Sequence, residues 1–553
     1  MKKYFVLALI GLNFALFSCK DDNEDIVPEA PIDEIPVGSV IRNDVDAANI
    51  VKGILKTQSP GSGLSFIAET VSDATISFEG DETAAGPLVS RFDIQANNSY
   101  VAGQWDKHYV AIAQANELIE QLSAIAAGAA ADGFILTVAG KDTALGGAYF
   151  ARALSYFYLV RLYGEVPIYT KVGETNGHPA SVNDVYKQVE ADLLLAEELL
   201  PTSTGVKTVP SKYAAEAILA RVYLTWAQYS PEGDLLAPPA DNAKLAKAVT
   251  YADKVISSKQ FILLEDYSKN WGRHNKNGQE HIYNQSYVLG DARPGDGGNH
   301  QSHCAFSYGF DVDPNTQPTH IGPASYSLYT DWDGRHEGNE LDQRRDLSYT
   351  AYLAKPNSAA EFGLNHDSVY AFIPPHWIPL FGKGIDRSFY EGPLVGPTER
   401  DLDRIEIRYA EVLLIKAEAL IESNQNLTEA KALINQIRHR AYNKASNPSV
   451  YDITATSQAD LRTAVQQEYF NEFVYEQKRW FDLVRWHRFV KTVQSIENFP
   501  EYKGEYGTEP GSFFLKAQTH LKARYNAVTG SGTKYYTFPI PETAIAANPN
   551  LKK

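Results

Sequence analysis

The chain is poor in sulfur: its 553 residues include two cysteines, Cys19 and Cys304, and a single methionine. Two thiols cannot build a multi-bridge framework, so stability has to come from burying apolar surface, which a chain of this length can do in quantity. Basic charge is also lacking, with 51 Lys and Arg against 68 Asp and Glu and a net charge of −17. That balance argues against a nucleic acid partner and describes a solvated acidic surface. Beyond position 20 no apolar run reaches the roughly 20 residues needed to cross a bilayer. No G-x-S-x-G nucleophile motif is present. The acids are plentiful, but nothing in the sequence pairs them as glycoside hydrolysis requires, so the chain is expected not to be an enzyme.

What is present begins with Lys2 and Lys3, an apolar run from Tyr4 to Phe17, then Ser18 and Cys19. A basic start, a short apolar centre and a small residue at the cut are the layout of a secretory signal. Leu16-Phe17-Ser18-Cys19 resembles the lipobox of bacterial lipoproteins, which implies a lipid on Cys19; a plain signal peptide with a chance cysteine fits the same stretch. With Cys19 lipidated, Cys304 has no intramolecular partner. Residues 19–41 hold Pro28, Pro31 and Pro36 among many acids. Such a composition forms no core and reads as a flexible tether, reaching about 70 Å at roughly 3.3 Å per residue. The expected organisation is a signal peptide over 1–18, a lipidated tether over 19–41 and a single domain over 42–553.

Helical periodicity dominates from about 97 to 257 and again from about 403 to 490. Ser181 and Asp184 form a capping box. Val185, Val189, Leu193, Ala196 and Leu200 follow on one face, and Pro201 stops the helix. LGGAYFARALSYFYLVRLYG predicts a second helix closed by Gly164. PSKYAAEAILARVYLTWAQYS and NAKLAKAVTYADKVISS predict two more, with Ala215, Ala217 and Ala220 small enough for close approach. RYAEVLLIKAEALIESNQNLTEAKALINQIRHRA, 34 residues, reads as one helix pair of tetratricopeptide type. The fold class expected is therefore mostly α: four tetratricopeptide-like helical hairpins, unevenly spaced.

The hairpins are interrupted from Glu265 to Arg400, 136 residues holding 25 of the 66 Gly and Pro and eight of the thirteen His. A stretch that long inside a domain is expected to be a loop-rich insertion packed on the helices, and loops carry function. A smaller irregular region runs from about Gly61 to Asn98.

Several ordered blocks resemble the SusD/RagB family of Bacteroidota outer-membrane lipoproteins. They are GQWDKHYVAIAQANELIEQL, GGAYFARALSYFYLVRLYGEVPIY, VYKQVEADLLLAEELLP, YAAEAILARVYLTWA, IRYAEVLLIKAEAL, EYFNEFVYEQKRWFDLVRW and the closing YYTFPIPETAIAANPNL. Tyr469 stands where the family often has arginine and Gln477 where it often has glycine. Within that sixth block Glu472, Glu476, Arg479, Asp482 and Arg485 recur at three- and four-residue spacing, which predicts an ion-pair ladder on a helix. The resemblance implies a lipoprotein on the outer membrane, facing outward, that binds polysaccharide or oligosaccharide and hands it to a SusC-like TonB-dependent transporter. Its RagB branch implies oligopeptide instead. Lys20-Asp21-Asp22 resembles the surface-export signal that follows the lipidated cysteine in such proteins.

Sugar binding needs flat aromatic faces and converging polar groups. The candidate ligand residues are Trp271, Tyr283 and Trp332 in the insertion, Asp73 and Arg91 in the earlier irregular region, and Trp105, by analogy with the family, on the first long helix. For each aromatic, packing in the interior is the alternative, and Trp480 and Trp486 on a periodic helix are assigned to the core. No cofactor or metal is expected: DVDPNTQPTHIG lacks the turn glycine and closing glutamate of a calcium loop, and HQSHC has no companion cluster.

Overall fold

Helices form where the sequence supplies both an apolar stripe and a cap. The computed structural model describes residues 41–77, 85–126, 128, 130–131, 134–229, 241–271, 275–285, 321–323, 342–344, 383, 403–495, 513–529 and 535–552. The signal and tether assigned to 1–18 and 19–41 lie outside these residues, Ile41 apart. In chain order the elements begin with α1 (Asp44–Gln58), α2 (Gly61–Glu69), β1 (Thr75–Ser77), α3 (Ala85–Ser90) and α4 (Ser99–Ala124). There follow β2 (Ala130–Ala131), β3 (Phe134–Ile135), α5 (Val138–Tyr163), α6 (Val182–Leu199), α7 (Lys212–Ala227) and α8 (Asn242–Ser257). After β4 (His281–Gln285), β5 (Ile321–Pro323) and β6 (Arg404–Arg408) come α9 (Tyr409–Glu422), α10 (Leu427–Ala441) and α11 (Gln458–Phe473). The chain closes with α12 (Arg479–Arg485), α13 (Phe489–Gln494), α14 (Phe513–Ala527) and α15 (Glu542–Ala547).

The caps read from sequence are formed. Ser181 Oγ accepts from the Asp184 N–H at the start of α6 and donates to the Asp184 carboxylate at 2.7 Å. Gly164, at φ +75°, ends α5 in the left-handed conformation that its missing Cβ permits. Val185, Val189, Leu193, Ala196 and Leu200 are all buried. At Gly147 an added Cβ would meet Val51 Cγ1 at 2.6 Å, so α1 lies against α5 only because that position has no side chain.

From α4 to α8 each helix packs on the next, α8 packs on α9, and α9 on α10 and α11. Read as hairpins these are α4–α5, α6–α7, α8–α9 and α10–α11, with residues 258–408 between the arms of the third. One apolar cluster runs through all of them. Among the described residues no helix is long and apolar enough to cross a membrane.

Strands appear where the insertion leaves and returns. β4 and β6 pair antiparallel, with His281 opposite Arg408 and Gln285 opposite Arg404, so the chain re-enters the scaffold beside the point at which it left. β5, inside the insertion, pairs antiparallel with β1, Thr75 opposite Pro323, so the two irregular regions meet. Helical structure near 403 begins later than the periodicity predicts: residues 404–408 are strand, and the helix starts at Tyr409.

Candidate functional site

The RIEIR segment of β6 puts its charges inside. Arg404, Glu406 and Arg408 are buried along with Ile405 and Ile407, because residues on neighbouring elements compensate them. Arg408 Nη1 donates to Glu280 and Glu472, both at 2.6 Å, and its Nε donates to Glu476 at 3.0 Å. Arg440 from α10 reaches the same Glu280 at 3.0 Å and also Glu472. Two side chains of the insertion join them. Arg344 donates to Glu472 at 3.2 Å, to Glu468 at 2.5 Å and to Asp342 at 2.8 Å. Lys383 donates to Glu476 at 3.0 Å and to the Glu472 carbonyl at 2.8 Å. The insertion is thus anchored by the β4–β6 pair and by two buried cations that share glutamates with the scaffold.

A second charged group gathers around Glu406 of β6. Arg221 from α7 donates to Glu406 and Glu411 at 2.6 Å each, Lys478 also donates to Glu411, and Tyr158 donates to Glu406 at 2.6 Å. Arg404 bonds Glu406 at 2.5 Å and Gln285 at 3.1 Å, which ties the end of β4 to the same cluster.

Burial raises the carboxyl pKa of Glu476, but Arg408 and Lys383 outweigh it and hold the group down at about 2. Glu472 is held well below the usual range in the same way, by Arg440, Arg408 and Arg344 against burial. Lys383 is pulled down to about 8, by burial first. These carboxylates are locked as anions against guanidinium groups, so they hold the fold in place and neither take nor supply a proton near neutral pH. Among the described residues no group of three or more His, Cys, Asp or Glu is gathered to hold a metal.

The anticipated ligand residues are dispersed. Trp105 is 6% exposed, its ring 4.8 Å from Tyr109 and 5.1 Å from Tyr163. Trp271 is 9% exposed, edge-on to Tyr267 at 4.6 Å, with the Lys383 ammonium 5.2 Å from its ring centre. Tyr283, 1% exposed, meets Phe150 of α5 at 4.9 Å. These three rings present their faces to protein, the alternative that the sequence left open, and Trp480 and Trp486 are core residues as expected. Asp73 engages Arg479 through both carboxylate oxygens at 2.7 Å; burial raises its pKa and Arg479 more than reverses that. Arg91 Nη1 is 3.5 Å from His520 Nε2. Trp332 lies outside the described residues, as do His300, His303 and Cys304 and the acids Asp311 and Asp313.

The ladder of Glu472, Glu476, Arg479, Asp482 and Arg485 needs correction. Helix α11 ends at Phe473, and Tyr475 and Gln477 adopt left-handed φ of +73° and +59°, so the five do not share a helix. Only Asp482–Arg485 is a local pair, at 2.9 Å; the others bond partners far away in sequence. Gln477, at the position where glycine is common in the resembling family, keeps the left-handed turn while its side chain accepts from Arg404 and its N–H donates to Glu69. The alternation of charge and isoleucine in RIEIR was the one sequence signal that could have exposed this interior.

Profiles of two families match the chain: the SusD family over residues 379–553, and one described as starch-binding associating with outer membrane over residues 72–224. The chain is 26% identical over 573 aligned residues to SusD-like protein P2 of Formosa agariphila, covering 100% of this chain and 99% of that protein. Its fold is similar to that of a SusD homolog from Bacteroides thetaiotaomicron, with 22% identity, a TM-score of 0.73, and 94% of this chain and 98% of that one covered. A laminarin-binding SusD-like protein is similar at 20% identity and a TM-score of 0.66, over 92% of this chain and 98% of that one.

Proposed function

We propose that this chain, which belongs to the SusD/RagB family, captures polysaccharide or its oligosaccharides at the cell surface and passes them to a SusC-like TonB-dependent transporter without covalent chemistry. The observation that carries this reading is the end-to-end similarity to SusD-like proteins, together with an insertion whose two ends pair as β4 and β6 on a helical scaffold. The laminarin-binding neighbour supports a glycan as ligand. Lipid on Cys19 and the Lys20-Asp21-Asp22 segment would hold the domain outside the outer membrane.

Trp105, Trp271 and Tyr283 face protein, and Trp332, one of the candidates read from the sequence, is the residue we propose for stacking. Affinity electrophoresis and calorimetry against laminarin, other neutral glycans and peptides test the reading. Retardation by a glycan supports it, binding of peptides alone replaces it with oligopeptide import, and release of shortened sugars makes the chain an enzyme. Trp332→Ala is expected to weaken glycan binding roughly 3- to 10-fold, the share one aromatic contact contributes, with the unfolding midpoint unchanged.

A further inference from the structure

Residues of α5, α7, β6, α9, α11 and α12 line a partly open pocket of about 40 Å³. That is room for a few waters or one halide ion. Its wall is charged, and most of the charge cancels. Arg221, Arg404 and Lys478 lie against Glu406 and Glu411. Arg485 is bonded to Glu418 at 2.5 Å and to Asp482 at 2.9 Å. Four cations thus meet four carboxylates.

The fifth cation on the wall, Arg161 of α5, has no carboxylate bonded to it among the described residues. Its Nε donates to the Phe157 carbonyl at 3.0 Å, and its guanidinium lies 3.8 Å from the Phe157 ring centre and 4.2 Å from that of Phe481. Its Nη2 is buried with no hydrogen-bond partner. Tyr469, 3% exposed and lining the same pocket, also has a buried hydroxyl without a partner among the described residues. What remains over is one positive charge, on a side chain that is only partly exposed, and two buried donor atoms without partners, and a cation drawn out of full contact with water without a counter-charge is costly. A water satisfies the donors but leaves the charge, whereas a small anion satisfies both.

We propose that this pocket binds one monovalent anion of halide size, held by Arg161 and Tyr469, which completes the junction of α5 with α11 and α12. The site is separate from the glycan-binding reading and stands or falls without it.

Crystals soaked in bromide are expected to show an anomalous peak in the pocket between Arg161 and Tyr469. In solution at constant ionic strength, replacing gluconate by chloride should raise the unfolding midpoint by about 1 °C or more. Tyr469→Phe, which keeps the ring, and Arg161→Gln should each abolish that dependence. A peak without any chloride dependence is an adventitious ion only and overturns the proposal. So does a water bridging Tyr469 to Glu418, whose Oε2 is likewise buried without a partner, or a chloride response that survives in both variants.

Discussion

The helices from α4 to α8 and the segment from β6 to α12 are held by different forces. In the first, Leu154, Val189, Leu193, Ala215, Ala217 and Ala220 are buried on one another, and Arg152–Asp192 at 2.6 Å is a buried ion pair among them. In the second, Arg408, Glu472, Glu476, Arg440 and Arg344 form a continuous buried network. Apolar burial is non-directional and only requires that helices stack. Charge pairs require particular partners at particular angles, and we attribute to them the choice of where the chain docks after the insertion.

The sharpest way to break this contrast is Glu472→Ala, which strands Arg408, Arg440 and Arg344 without their shared acceptor. A loss of about 3–5 kcal/mol in denaturant unfolding is expected; a loss near zero would return the network to decoration. Leu154→Ala in the apolar half is expected to cost about 3 kcal/mol through the cavity it leaves, with the same cost at pH 7 and pH 3.5.

Acid should then separate the halves. Glu476 is held at about 2 against an ordinary 4.5, so its contribution is present above pH 4.5 and is lost as pH falls through about 2. Roughly 2–3 kcal/mol should disappear over that window, with amide exchange rising first in α11 and β6; equal loosening of α5 and α6 would remove the distinction. The smallest effect is expected at the turn. Gln477→Gly relieves about 1 kcal/mol of left-handed strain but gives up a buried bond from Arg404, for a net loss of about 1 kcal/mol. A stabilised variant would show that backbone strain outweighs that bond.

Much of the apolar half was legible in the residues. The Ser181 capping box, the Gly164 terminus and the stripe from Val185 to Leu200 all rest on spacings of three and four, which one chain displays by itself. The candidate site was much less legible. Trp271 in a glycine-rich stretch looked like a ligand face, yet Tyr267 and Lys383 enclose it, and Lys383 lies 112 positions further along the chain. Asp73 looked like a loop acid, and its partner Arg479 is 406 positions away. Where the aromatic density does mark the insertion, Trp332 keeps its assignment as a proposal.

By itself the sequence determined that this is a mostly helical, acidic chain with few thiols, where several of its helices begin and end, and which family it resembles, because caps, periodicity and ordered blocks are local and additive. Only the tertiary structure decided that RIEIR is a strand with its charges inward, that the two irregular regions join through β1 and β5, and which arginine meets which glutamate. Those outcomes depend on pairs separated by tens to hundreds of positions, and a charge carries no mark of its partner until folding removes the water that would otherwise solvate it.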